Sequence, residues 1–298
     1  MSRTPGRSSS IRKGLTRVEI VAFFVFTVIV LALIPPITLQ RSGRLAPLAV
    51  CAANLKELGR GMHSYAGENA GAWPIAAHAP ATENGKCTVT YAPGKIGTHR
   101  GHPQDPKAGE TQITDTEMSV TRSLWTLVRQ GMSSPPSFVC PLTSDHPGTD
   151  ENPQGLWDFA RYSEISYGLQ VPYGTHGRPA TTRDPRMALA ADKGPFGAAL
   201  EAGARQPGPV KAGTAAAPGD WMPWNSPNHG GKNQTVLYAD GHIESQTTPV
   251  AGYMNDNIYT RWSNATGGLG GDERIRVQGT PPAGTEAPFG NTDTLIYP

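Results

Sequence analysis

The chain has 298 residues, enough for one sizeable domain or two small ones. Hydrophobic residues make up 37% and charged residues 17%, while Gly 35 and Pro 28 together form about a fifth of the chain, a mixture that predicts a loop-rich head over a modest core. A net charge of +2 is too small to recruit nucleic acid or an acidic partner, and three cysteines (Cys51, Cys87 and Cys140) are too few for a disulfide scaffold.

Residues 1–14 carry Arg3, Arg7, Arg12 and Lys13 and no acid, and an apolar run follows from Ile20 to Leu39. That run is about 20 residues long, the length that crosses a hydrocarbon core of roughly 30 Å as a helix. Basic residues before it, with only Arg41 and Arg44 just after it, predict a cytoplasmic N-terminus and an exported C-terminus. A cleaved secretory signal fits poorly, because the run is too long and Pro35 to Gln40 offers no small-x-small site. A lipoprotein signal would use Leu48-Ala49-Val50-Cys51, with bulky Val50 where a small residue belongs. A plain signal anchor leaves one feature unexplained.

That feature is Gly14-Leu15-Thr16-Arg17-Val18-Glu19. A carboxylate at the mouth of a membrane span reads as functional and needs a partner. Cleavage after Gly14 creates one, the new α-amine of Leu15, four residues from Glu19 on one helix face; the amine of a neighbouring subunit serves equally. The stretch resembles the type III (prepilin) signal, with Leu15 in place of the usual phenylalanine and Arg17 where the family generally has an apolar residue. The resemblance implies processing at Gly14, Leu15 and Glu19 by a prepilin peptidase and N-methyltransferase. Pro35-Pro36 falls where pilin-like helices commonly kink.

Beyond the prolines, Leu48, Cys51/Ala52, Leu55, Leu58, Met62 and Tyr65 recur in three- and four-residue steps, one stripe on a helix. Gly59 and Gly61 weaken such a helix unless another backbone packs there, and Gly67, Asn69, Gly71 and Pro74 end it. A helix from Leu15 to about Ala66 follows, roughly 75 Å long. Its parts are a leader at 1–14, a transmembrane half at 15–39 and a stalk half at 40–68, with a head at 69–298. The block from Cys51 through Asn54-Leu55 and Tyr65 to Asn69, Gly71 and Pro74 resembles that of a planctomycete-type group of prepilin-type proteins with a C-terminal His…Asp-Gly signature. Phe138-Val139-Cys140-Pro141, Ser166-Tyr167-Gly168, Ala191-Asp192 and Asn257 to Thr260 echo the same group. Here the signature is His229 to Asp240-Gly241, with ten intervening residues where the common form has nine. The resemblance implies structural roles for Cys51, Asn54, Leu55, Tyr65, Cys140, His229, Asp240 and Gly241.

In the head, Val236 to Ala239, Asp240-Gly241 and His242 to Ser245 read as a hairpin with a two-residue type I′ turn. That turn would place Asp240 at the tip, facing solvent. Strands are expected at Phe138–Cys140, Ile165–Val171 and Met187–Ala191, and a helix at about Ser119–Gln130. Gly/Pro-rich connections fill Ala76–Asp115, Ala198–Asp220 and Ser263–Pro298. The fold expected is α+β and pilin-like: one long N-terminal transmembrane and stalk helix packed on a small antiparallel sheet with large loops.

No nucleophile motif or phosphate loop stands out. His99 and His102 read as loop histidines. Asp115, Glu117, Asp145, Asp150 and Glu151 could supply calcium oxygens, but without the alternating ladder of a calcium loop. A metal set within the 228–245 segment would use His229, Asp240 and His242, with Asp192; the structural reading of that segment is preferred. Cys51 near the helix stripe and Cys140 at the end of a buried strand form the expected disulfide, with Cys87 free, although spacing does not fix connectivity. The expected function is a pseudopilin-like assembly subunit of a type II secretion or type IV pilus-like system. It would be a single-pass inner-membrane protein with a periplasmic or extracellular head, no catalytic role, and other pseudopilins and membrane lipid as partners. The alternative is a membrane-tethered exported binding protein or enzyme that uses the same signal.

Overall fold

The computed structural model describes residues 16–33, 35–76, 90–91, 117–172, 180–196, 218–262, 277, 279–282 and 288–298. The cleavage pair Gly14–Leu15, Cys87, His99, His102 and Asp115 lie outside them. So does most of each long Gly/Pro-rich connection.

Two helices stand where one was expected: α1 (Arg17–Leu33) and α2 (Pro35–Glu68). Pro35-Pro36 stands at the start of α2, where the missing N–H of a proline costs nothing. Helix α1, at 17 residues, rises only about 25 Å, and α2 carries Gln40, Arg41, Ser42 and Arg44 in its first turns. Among the described residues no helix is long and apolar enough to cross a membrane. This overturns both the transmembrane-and-stalk helix and the single-pass inner-membrane placement. The chain divides into two compact units, Met1–Ala46 and Pro47–Pro298, with the boundary at the proline inside α2.

The larger unit is mixed α+β. Short strands β1 (Thr90–Tyr91) and β2 (Glu117–Met118) pair in parallel ahead of α3 (Thr121–Arg129). The main sheet is built from β3 (Tyr167–Gln170), β4 (Ala188–Asp192), β5 (Gln234–Tyr238) and β6 (Ile243–Gln246). A hairpin of β7 (Val250–Gly252) and β8 (Asp256–Asn257) follows, and the chain ends in β9 (Ile296–Tyr297). The main sheet runs β6-β5-β4-β3-β9, every pair antiparallel. Its fifth strand comes from the C-terminal stretch that reads as loop. At Gly168 in β3, a Cβ would lie 2.8 Å from the Pro298 carbonyl oxygen and 2.7 Å from Ile296, so only glycine admits the C-terminal strand. Phe138–Cys140 is not a strand; the paired prolines Pro135-Pro136 open a 3-10 turn through Phe138.

Both faces of the sheet are covered, which explains why β3, β4 and β5 are buried at every position instead of alternating. On one face Leu169, Leu189, Ala190 and Leu237 meet the second half of α2 (Cys51, Leu55, Leu58, Met62) and the buried side of α3 (Leu124, Trp125, Leu127, Val128). On the other, Ala188, Ala191, Val236 and Tyr238 meet Trp221, Trp224, Ile258 and Tyr259. A bulge between Ala188 and Ala190 accounts for Ala188 and Ala191 sharing a face. The stripe read from the sequence is the side of α2 that is buried. Its glycines divide the close approaches: Gly61 faces the Met132 carbonyl oxygen, and Gly59 faces the Leu237 side chain.

Cys51 and Cys140 form a disulfide across 89 residues of chain, the pairing expected. Closing a loop of that length removes chain entropy worth about 4–5 kcal/mol in the loop-closure model, with measured losses for native bridges of about 2–5 kcal/mol. Replacing both cysteines by alanine is expected to lower the unfolding free energy by that amount, read by linear extrapolation of urea unfolding with m fitted separately for each protein, since loss of the cross-link expands the unfolded chain.

Candidate functional site

The residues singled out in the sequence fall at three places. At the start of α1, Thr16 and Glu19 cap each other. The Thr16 N–H (2.8 Å) and hydroxyl (2.9 Å) donate to Glu19 Oε2, and the Glu19 N–H donates to Thr16 Oγ1 at 3.3 Å. This is a capping box, legible as Thr-x-x-Glu before an apolar run. It holds the Glu19 carboxyl below its usual range through the Thr16 backbone and side-chain hydrogen bonds. Glu19 therefore has a local partner and does not depend on a terminal amine to be satisfied.

The second place is the Asp240-Gly241 hairpin. Gly241 has φ +85° while Ala239 and Asp240 keep ordinary φ. The Gly241 N–H donates to the Tyr238 carbonyl and the Tyr238 N–H to that of His242. The connection is thus a type I turn closed by a left-handed glycine, a three-residue loop and not the expected I′ pair. The hairpin connection with positive φ at two successive residues is the one between β7 and β8, at Met254 and Asn255. Asp240 does not simply point into solvent. Its Oδ1 accepts the His242 N–H at 2.9 Å and sits 2.5 Å from His242 Nδ1, and these bonds lower the Asp240 pKa, the backbone one most. The His242 ring stacks on Tyr238 at 4.3 Å. The loop rests on α2, where Lys56 Nζ donates to the Gly241 carbonyl at 3.1 Å.

The third place is buried. Ser226-Pro227 opens a 3-10 turn through His229, with Ser226 Oγ accepting the Asn228 N–H, and Gly230 and Gly231 close it at φ +68° and +73°. The turn aims His229 Nε2 at Cys140 Sγ, 3.5 Å away, and His229 Nδ1 at Asp192 Oδ2, 3.4 Å away. Asp192 ends β4. Its oxygens accept the Thr235 N–H at 2.6 Å and Asn228 Nδ2 at 2.9 Å, and its carbonyl accepts the Tyr259 hydroxyl at 2.8 Å. Burial pushes the Asp192 carboxyl up, against the pull of the His229 charge and these donors. His229 Nδ1 approaches Asp192 without hydrogen-bond alignment. Since a buried polar group left without a hydrogen bond costs about 1–3 kcal/mol, this imidazole is poorly satisfied.

Beside it, Asn54 Nδ2 donates to the Val139 carbonyl at 2.8 Å, and the Tyr167 hydroxyl reaches the Cys51 carbonyl at 3.4 Å. Leu55 is in the core, and half-buried Tyr65 packs against it. Cys51, Asn54, Cys140 and His229 thus converge where α2 meets the sheet. Asp240 and His242 form a separate exposed pair, so the four residues considered as a metal set split two and two. Among the described residues, only Cys51, Cys140 and His229 bring three such donor atoms within mutual reach. Asp145 is engaged by Lys193 Nζ and Ser166 Oγ, both at 2.7 Å. Asn228, Thr235 and Tyr259 escaped the sequence reading, because a buried carboxylate's donors follow from strand pairing and not from spacing.

Cys140, His229 and Asp192 stand in the order of a thiol–imidazole–carboxylate triad. The sulfur is in a disulfide, and all three side chains are buried. A nucleophile there would reach no substrate. The chain matches no protein-family model, no curated protein and no solved structure at significance.

Gly241→Val is expected to destabilise the larger unit by about 1–3 kcal/mol, since a β-branched residue resists positive φ. His242→Ala removes an exposed pair and the stack on Tyr238 and should cost less than Gly241→Val, about 0.5–1 kcal/mol. Thermal melts of the two variants check both values.

Proposed function

We propose that this chain is a pseudopilin-like assembly subunit of a type II secretion or type IV pilus-like system. It is cut after Gly14 by a prepilin peptidase and packs through α1 against the same helix of neighbouring subunits. One observation carries the reading. The large side chains of α1 lie exposed all round the helix, Val18 at 77%, Phe23 at 73% and Phe26 at 66%. A helix apolar on every face is one that others surround. The leader, Gly14 and Glu19 stand in register with that helix, as the resemblance to prepilin signals implies.

Processing is tested by N-terminal mass analysis. The mature chain is expected to begin at N-methylated Leu15, and Gly14→Asp to block the cut; an intact Met1 contradicts the reading. Glu19 separates capping from charge pairing. Glutamine keeps the reciprocal bond with Thr16 but has no charge to offer a neighbour's amine. Incorporation into sheared assemblies should therefore fall at least tenfold for both Glu19→Gln and Glu19→Ala. If glutamine assembles at wild-type levels, Glu19 serves as a cap alone and the pairing role is wrong.

A further inference from the structure

We propose that Cys51, Cys140 and His229 form a zinc site when the Cys51–Cys140 bridge is reduced, so that the junction of α2 and the sheet is closed by a disulfide in one state and by a metal in the other. Two thiolates and an imidazole are a zinc donor set. The three donor atoms lie within 4.8 Å of one another. The Cys140 Sγ to His229 Nε2 separation of 3.5 Å already matches the sulfur–nitrogen edge of about 3.6 Å that zinc bond lengths give in a tetrahedron.

A second observation is independent of the donors' proximity. His229 turns Nε2 to the sulfur and Nδ1 to a carboxylate, the orientation that a metal-bound histidine takes when a neighbouring acid fixes its tautomer. In the disulfide state neither nitrogen gains much. A disulfide sulfur accepts weakly, and Nδ1 lacks an aligned partner. Coordination through Nε2 gives that nitrogen a strong partner and puts the ring proton on Nδ1, which lies 3.4 Å from Asp192 Oδ2, a carboxylate that the Thr235 N–H and Asn228 hold in place.

The balance is simple. A dithiol reductant passes two electrons to the Cys51–Cys140 bond and closes its own disulfide, and each cysteine sulfur takes a proton. A divalent zinc ion then displaces the two protons and binds both thiolates and the neutral imidazole, leaving one tetrahedral position to water. Zinc and the disulfide therefore exclude each other.

The test uses full-length Cys87→Ser protein, in which Cys51 and Cys140 are the only cysteines. It is reduced with dithiothreitol, desalted without air and titrated with Co2+ as the spectroscopic probe. One equivalent is expected to bind with sulfur-to-cobalt charge-transfer absorption and to be displaced by Zn2+, while the oxidised protein shows none. Asp192→Asn should weaken binding 10–100-fold, and His229→Ala at least as much. Near-UV circular dichroism of each oxidised variant establishes that it is folded, and the variant that is folded carries the comparison. No charge-transfer band in the reduced parent overturns the proposal. So does an affinity unchanged within threefold in the folded variants, because the thiols would then bind metal without the site.

Discussion

The larger unit depends on fastening one stretch of helix to a sheet that is nearly all buried. From Pro47 onward, α2 presents Cys51, Leu55, Leu58 and Met62 to Leu237 and its neighbours, while its other faces, Val50 among them, stay exposed. A single stripe of that width leaves a helix marginal on its own, since most helical stability in proteins comes from packing. The covalent bond from Cys51 to Cys140 removes the alternative in which the helix swings away. Polar contacts then set its register: Asn54 on the Val139 carbonyl, Ser137 on Glu57 at 2.8 Å and Lys56 on the hairpin. The residues whose pattern resembles a prepilin-type signature are, for the most part, the residues that make this junction.

A buried charge network surrounds the fastening. Asp192 and His229 on one side, and Asp145 with Lys193 on the other, meet at Ser166, whose carbonyl accepts Asn228 and whose hydroxyl donates to Asp145. Buried ionic groups of this kind contribute little net stability, yet removing one partner leaves an uncompensated charge. Their net contribution is therefore small, and the fold registers them mainly when one partner is lost. The same logic makes the site interesting chemically, because groups held this rigidly are already in position for a ligand.

Much of this was legible in the residues, and the failures have physical reasons. The α2 stripe, helix α3 and strands β3 to β6 follow from periodicity and turn chemistry, which are local; the Cys51–Cys140 pair rests only on the burial expected at each cysteine, because spacing does not fix connectivity. The length of the apolar run alone predicts a membrane span, whereas α1 has 17 residues and the run from Pro35 to Leu39 lies in α2 with, just beyond it, Arg41. Thr16 and Glu19 carry a capping signature in the sequence, which a purely functional reading of Glu19 leaves out. The Asp-Gly pair marked a turn correctly but not its type, which depends on whether one or two residues take positive φ. The C-terminal strand has only two paired residues, too few to show a period, and the convergence of Asp192 on His229 is set by strand order, to which no short motif is sensitive.

The central claim is that the second half of α2 and the main sheet are one cooperative unit, joined through the Cys51–Cys140 locus. Native-state hydrogen exchange on the oxidised full-length protein tests it most directly. The amides of Leu55, Leu58 and Met62 should open with the same free energy, and the same denaturant dependence, as those of Ala190 and Leu237 in β4 and β5. If the helix amides instead exchange through a separate, lower-energy opening while the strand amides stay protected, the helix is an appendage and the account is wrong.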